Sequence, residues 1–427
     1  MLRKTEYPHI GETLYSGELP NGLRVRVVPK KGFSSCFAAF ATDYGGDCRD
    51  FTLDGARYDT PAGVAHFLEH KMFDMPDGDN ALTLLTANGA DPNAFTGNEM
   101  TCYYFQCTER FEENLRLLLR FVSTPYFTAE TVQKEQGIIA EEIGMVEDEP
   151  GYKLYYDLLA QLYAHHPIRE QVAGSVESIR RITPELLHAC YRAFYAPSNM
   201  CLCVAGDVEP QRVWEIAMET LGDERAPIPE PDFGEPEDSL LPVEAFRRET
   251  MPVSAPQFLI GAKFESAEKG EALLRQRLVS QLSLRLLFGA SSPFYTKLYA
   301  DGLLNRDFDY EAEFISGTAT VFIGGESEEP EKVFDALRAE AQRVAKEGFS
   351  DERFQRAKRA SLGARLRGLE DFGNVCISLV SGVFEGYCSL DAIGMLERVT
   401  KVECEAFVRE VFAPERLALS IMEPKKD

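Results

Sequence analysis

The pentapeptide His66-Phe67-Leu68-Glu69-His70 constrains this chain more than any other stretch, because it carries two imidazoles and a carboxylate at helical spacing. At about 100° per residue, Glu69 lies roughly 60° to one side of His66 and His70 roughly 40° to the other, so one helix face presents all three. Imidazole nitrogen is a ready zinc ligand, and a catalytic zinc keeps three protein ligands and leaves its fourth position open. A carboxylate beside such a site is placed to take a proton from water. Two histidines four apart also occur as packing residues. Against that stand the scarcity of histidine, six in the chain, and the apolar flanks Phe67, Leu68, Met72 and Phe73 after the turn Pro61-Ala62-Gly63. Imidazoles on a buried helix need a partner. The expected site is a divalent-metal centre on His66 and His70, with Glu69 as the base.

At 427 residues the chain exceeds one compact core, and roughly 150 to 200 residues per domain predicts two or three. A hydrophobic fraction of 44% with 27% charged residues predicts a folded chain and excludes a disordered one. The net charge of -24 argues against nucleic acid and anionic membrane surfaces as partners and favours basic peptides. No run approaches the 18 or so apolar residues of a membrane span, and Met1 to Tyr15 has no apolar stretch of the signal-peptide kind. The ten cysteines are scattered without a C-x-x-C pair, and Cys102, Cys107, Cys201 and Cys203 sit in strand-like apolar runs. That usage predicts reduced thiols packed as small hydrophobes, hence a cytoplasmic protein.

The chain is written twice. Ile182-Thr183, a helical pattern, Phe194-Tyr195-Ala196-Pro197 and a strand-like run from Met200 are matched by Val399-Thr400, a helical pattern, Val411-Phe412-Ala413-Pro414 and a run from Leu417. The offset is 217 residues from 182 to 399 and again from 197 to 414, which argues for a duplicated domain. Between the copies, 223–243 holds five prolines among acidic residues and reads as an extended linker. The predicted division is therefore a metal-bearing domain at 1–222, the linker at 223–243 and a second, homologous domain at 244–427. In the second copy Gln281 and Arg285 stand where the histidines were, so the metal belongs to the first copy alone. Strand patterns at 23–28, 35–42, 93–97, 100–106, 245–252, 257–264, 308–315 and 318–323 alternate with helical patterns at 111–122, 129–146 and 330–347. Strand runs with clustered helices mean α+β, each domain a mainly antiparallel sheet covered by helices on one side.

Two imidazoles do not complete a zinc site. The helical pattern from Ala129 offers Glu135 and Glu142, seven apart and within about 20° of one face, with Glu141 about 100° round from Glu142. Spacing leaves the choice among these glutamates open.

His66-x-x-Glu69-His70, followed by Glu135-x6-Glu142, resembles the inverted-zincin peptidases that include pitrilysin, insulin-degrading enzyme and the mitochondrial processing peptidase. Pro92-Asn93-Ala94-Phe95-Thr96 with Tyr103-Tyr104-Phe105 resembles that family's substrate-strand segment, and the duplication with its linker matches its architecture. The resemblance spans essentially the whole chain. It implies a zinc-dependent endopeptidase with one Zn2+ per chain on His66, His70 and Glu142, supported by Glu135, with Glu69 as base. It also implies that Asn93 and Ala94 hydrogen-bond an extended peptide substrate while Phe73 and Phe95 line apolar subsites. Family substrates are small or unfolded peptides enclosed between two half-shells of two repeats each. This chain supplies one half-shell, so a homodimer or a heterodimer with a paralogue is implied. The segments 66–73 and 291–303 read like the zinc-bearing member of the paired bacterial subunits associated with elongation-factor-P modification. The alternative is a non-catalytic or partner-dependent assembly or maturation subunit that keeps the peptidase fold. One departure stands out: where the family's second half presents an arginine and then a tyrosine, this chain has Leu298-Tyr299 and Asn305-Arg306. Tyr299 or Tyr310 is the available substitute.

Overall fold

The structure, a computed structural model, describes residues 1–425 apart from 54 and 234–238. It divides into two units: Met1–Ile143 with Glu170–Phe233 and Leu366–Leu390, and Gly144–Arg169 with Gly234–Arg365 and Asp391–Asp427. Neither unit is one continuous stretch. A segment of the first half of the sequence belongs to the second unit and a segment of the second half to the first, an exchange that the linear division at 223–243 does not contain.

Among the described residues the first unit holds ten strands: β1 (Arg3–Tyr7), β2 (Glu12–Glu18), β3 (Arg24–Pro29), β4 (Cys36–Thr42), β5 (Asp50–Leu53), β6 (Ala56–Asp59), β7 (Ala90–Thr96), β8 (Thr101–Cys107), β9 (Met200–Gly206) and β10 (Glu230–Asp232). Seven form a sheet in the order β1-β2-β3-β9-β4-β8-β7, antiparallel except for the β3/β9 pair. The other three form a small sheet, β10-β5-β6, in which the linker residues Glu230–Asp232 pair with β5; residues 234–238 of that linker lie outside the described residues. β4 and β9 are buried at every position, so both faces of the sheet are covered there. One face packs Val25, Val27, Phe40 and Leu202 against the helices Val64–Met72, Phe111–Val122 and Pro184–Phe194. The opposite face packs Phe37, Ala39, Cys201 and Cys203 against Val375, Cys376 and Leu379 of the helix Phe372–Phe384. Cover on both faces corrects the expectation of a one-sided sheet.

The second unit repeats the plan with β11 (Phe246–Met251), β12 (Gln257–Glu265), β13 (Asp309–Ile315), β14 (Thr318–Glu326) and β15 (Ala418–Pro424), in the order β11-β15-β12-β14-β13. Its parallel pair, β11/β15, corresponds to β3/β9. The helix Pro150–Leu162 lies on β12 so closely that a Cβ at Gly261 would stand 2.8 Å from Leu158 and 2.9 Å from Leu162. The 217-residue offset holds in space. Pro184–Phe194, N-capped by Thr183, is matched by Lys401–Val411, N-capped by Thr400, and the short turns at 197–199 and 414–416 follow each.

All ten cysteines are free thiols and nine are buried, as the strand-like runs predicted. Among the described residues no single helix is long and apolar enough to cross a membrane.

The helix Val64–Met72 starts at Gly63, whose φ of 92° is left-handed, and a Cβ there would stand 2.5 Å from the Ala173 carbonyl oxygen. The helix carrying the sequence motif is thus aimed by a backbone-to-backbone contact. Gly63→Ala should destabilise the fold by about 1–3 kcal/mol through strain and overpacking, read as a lowered denaturant midpoint. An unchanged midpoint would contradict this account of the helix start.

Candidate metal centre

Burying Phe67 and Leu68 of the motif helix turns His66, Glu69 and His70 to one side. The facing helix, Ala129–Glu147, is anchored by buried Val132, Ile139 and Ile143, and this places Glu135 and Glu142 against the imidazoles while Glu141 is exposed. Packing therefore makes the choice that spacing left open.

Glu142 spans the two histidines. Its Oε1 lies 3.6 Å from His66 Nε2 and its Oε2 lies 3.6 Å from His70 Nε2. These separations are too long for hydrogen bonds. Ligand atoms at about 2.1 Å from a tetrahedral zinc stand about 3.4 Å apart, so the donors are spaced for an ion between them. Among the described residues these three form the single cluster of metal-type ligands, their donor atoms all within 4.8 Å of one another. His66 Nδ1 is buried without a hydrogen-bond partner, and burial, aided by His70, pushes the His66 pKa down to about 4. The ring is therefore neutral, as a ligand must be.

His70 Nδ1 lies 3.1 Å from Glu135 Oε1. With Nδ1–H donating there, the Nε2 lone pair faces Glu142, the tautomer that ligation needs. Burial disfavours the charged form of His70, but the Glu135 hydrogen bond and the charges of Glu69, Glu135 and Glu142 outweigh it and raise its pKa. Burial likewise pushes the Glu135 carboxyl up, and His70 with Lys71 and Lys134 brings it below the ordinary value.

Glu69 is 7% exposed and its pKa is raised, chiefly by burial, against the opposing effects of Thr96 and His70. Thr96 Oγ1 donates to Glu69 Oε2 at 2.7 Å. Thr96 ends β7 and pairs across the sheet with Thr101, whose hydroxyl donates to the Tyr44 carbonyl at 2.9 Å. Glu69 is thus held by the same strand that the sequence marked as a candidate peptide contact.

That strand, β7, is a sheet edge. The Ala94 N–H is taken by the Asn93 side chain, with Oδ1 at 2.8 Å, so it points away from β8 toward the open edge. Phe95 is half-buried near Tyr104, whereas Phe73 is a core side chain packed against Tyr103 and Phe121. In the second unit, Gln281 accepts from Arg365 and Arg285 donates to Ser361 Oγ at 3.4 Å, so hydrogen bonds join the helices where the first unit has its cluster. Tyr299 is exposed and stacks on Tyr295; Tyr310 is half-buried beside Phe288 and Phe308.

Sequence reasoning missed Thr96 as the partner of Glu69, and Lys71, which is buried beside Glu135. Lys71 had a signal, because it follows Phe67 by four residues and so falls on the buried face of the helix.

The Insulinase (Peptidase family M16) profile matches residues 53–175, and the Peptidase M16 inactive domain profile matches residues 181–361. The uncharacterized zinc protease YmfH of Bacillus subtilis (strain 168) is 36% identical over 433 residues, covering 100% of both chains. A second protein of that strain, the uncharacterized zinc protease YmxG, is 23% identical over 334 residues, covering 74% of this chain and 77% of its own. The crystal structure of an M16-like peptidase from Alicyclobacillus acidocaldarius superposes with a TM-score of 0.93 at 32% identity, covering 99% of this chain and 100% of that one. Pitrilysin has the same fold, with a TM-score of 0.79 at 14% identity, covering 100% of this chain and 47% of its own. The chain belongs to the M16 family of insulinase- and pitrilysin-type zinc proteases.

Metal analysis of the purified protein should find about one zinc per chain. His70→Ala should lose it, while Glu69→Gln should keep it, because Glu69 is bonded to Thr96 and stands outside the ligand cluster. Full zinc occupancy in His70→Ala would refute the ligand set.

Proposed function

We propose that the chain is a zinc-dependent endopeptidase that hydrolyses peptide bonds in small or unfolded peptides. The observation that carries this reading is the pairing of a three-donor cluster with a separate, buried carboxylate held at one oxygen by Thr96. His66, His70 and Glu142 would hold the ion, which when bound supplies Lewis acidity and brings water deprotonation to near-neutral pH. Glu69 Oε1, the oxygen not taken by Thr96, accepts the proton of the attacking water and returns it to the leaving amine. Thr96 keeps that carboxylate from turning away.

The open edge of β7 supports peptide capture by strand addition. An incoming strand takes the Ala94 N–H from Asn93 Oδ1, which frees the Asn93 side chain for the substrate. Phe95 offers an apolar contact. By family resemblance the peptide is enclosed, and a second chain completes the enclosure. The residues Leu298-Tyr299 and Asn305-Arg306 support dependence on a partner, as does the presence of two related zinc proteases in one Bacillus strain. We propose a paralogous partner, with a second copy of this chain as the alternative. Buried free thiols support a reducing, cytoplasmic setting.

Digestion of a peptide library by the chain alone and mixed with its paralogue tests the reading. Activity should appear or rise on mixing and be lost by at least about 100-fold in Glu69→Gln, whose zinc is retained. An active Glu69→Gln variant would remove Glu69 as base. Ala94→Pro should fold, because β7 is an edge, and should raise KM through loss of the edge N–H. Wild-type peptide affinity in that variant would end the strand-addition account.

A further inference from the structure

We infer that Lys71 is a positioning residue of the metal centre that acts through Glu135, an inference that rests on the metal-centre reading above. Lys71 is 1% exposed. An ammonium so far from water persists only with carboxylate partners, and it has two. It bonds Asp74 Oδ2 one turn on in sequence, and its Nζ lies 3.7 Å from Glu135 Oε2. Glu135 spends its other oxygen, Oε1, on His70 Nδ1. A continuous polar strut therefore runs from Asp74 through Lys71 and Glu135 to the imidazole whose far nitrogen faces Glu142.

The strut has no counterpart on the other ligand, since His66 Nδ1 is buried without a partner. His66 is placed by packing, including an edge contact with the His70 ring at 4.6 Å between centroids. The ring that the strut orients is thus also one of the groups His66 packs against. Four carboxylates, Glu69, Asp74, Glu135 and Glu142, gather around this helix, and among the described residues Lys71 is the only lysine or arginine within 4 Å of any of them. Without its charge, like-charge repulsion favours rotation of Glu135 toward water. His70 then loses both its acceptor and its fixed tautomer.

The test is a double-mutant cycle read in zinc affinity by competition with a chromophoric chelator. Lys71→Met keeps the length of the side chain and removes its charge. It should weaken zinc binding by about 10–100-fold and displace the absorption bands of the cobalt(II)-loaded protein. Glu135→Gln should do the same, and the double variant should bind no more weakly than Glu135→Gln alone, because one residue works through the other. If Lys71→Met does not fold, Lys71→Gln takes its place in the cycle. Unchanged affinity in a folded Lys71 variant, or losses that multiply in the double variant, would overturn the inference while leaving the metal centre standing. A wild-type chain that binds no zinc would remove both.

Discussion

Desolvation of polar groups on one short helix is the constraint on which the rest depends. The helix Val64–Met72 must bury Phe67, Leu68 and Met72 to close the core of the first unit, and in doing so it carries Glu69 and Lys71 out of water and leaves His66 only slightly exposed. Each then needs a partner within reach. Thr96 meets Glu69, Asp74 and Glu135 meet Lys71, and Glu142 stands between the two imidazoles. The core position of the helix and the chemistry it displays are one and the same solution.

The neighbouring elements follow from that demand. Glu135 and Glu142 reach the motif helix because Val132, Ile139 and Ile143 bury the intervening stripe of Ala129–Glu147. Thr96 reaches Glu69 because β7 pairs with β8 in a register that sets Thr96 against Thr101. Being an edge, β7 can hold Glu69 through Thr96 and leave backbone groups free along its open side. Position in the sheet thus joins an open backbone edge to the placement of Glu69, a link that no single motif expresses.

Much of this was legible in the sequence, for local physical reasons. Helical spacing marked His66, Glu69 and His70, the repeated offset marked the duplication, and alternating apolar residues marked β7, β8, β13 and β14 to within a few residues. What was missed depends on packing between distant segments. β1 and β2 are polar and half-exposed, with little periodicity to read. The two-sided cover of the first sheet had a trace in the unbroken apolar runs Cys36-Phe37-Ala38-Ala39-Phe40-Ala41 and Met200-Cys201-Leu202-Cys203-Val204-Ala205, because a strand with one wet face alternates. The helix that supplies the second cover comes from residues 372–384, and no local pattern discloses that partner.

The duplicated plan also shows what an ion would add. In the second unit Glu271–Phe288 and Asp351–Gly368 stand in for the motif and carboxylate helices, and they are joined by Arg285 to Ser361 and by Arg365 to Gln281. Those contacts complete themselves without any guest. In the first unit the matching positions hold donors that face one another at 3.6 Å and satisfy no hydrogen bond. Two copies of one framework thus reach opposite ends: the second closes the gap between its helices with its own side chains, and the first keeps the gap lined with lone pairs. A gap maintained at the expense of hydrogen bonding is what a binding site requires and a purely structural helix pair does not, which puts the candidate metal site in the first copy.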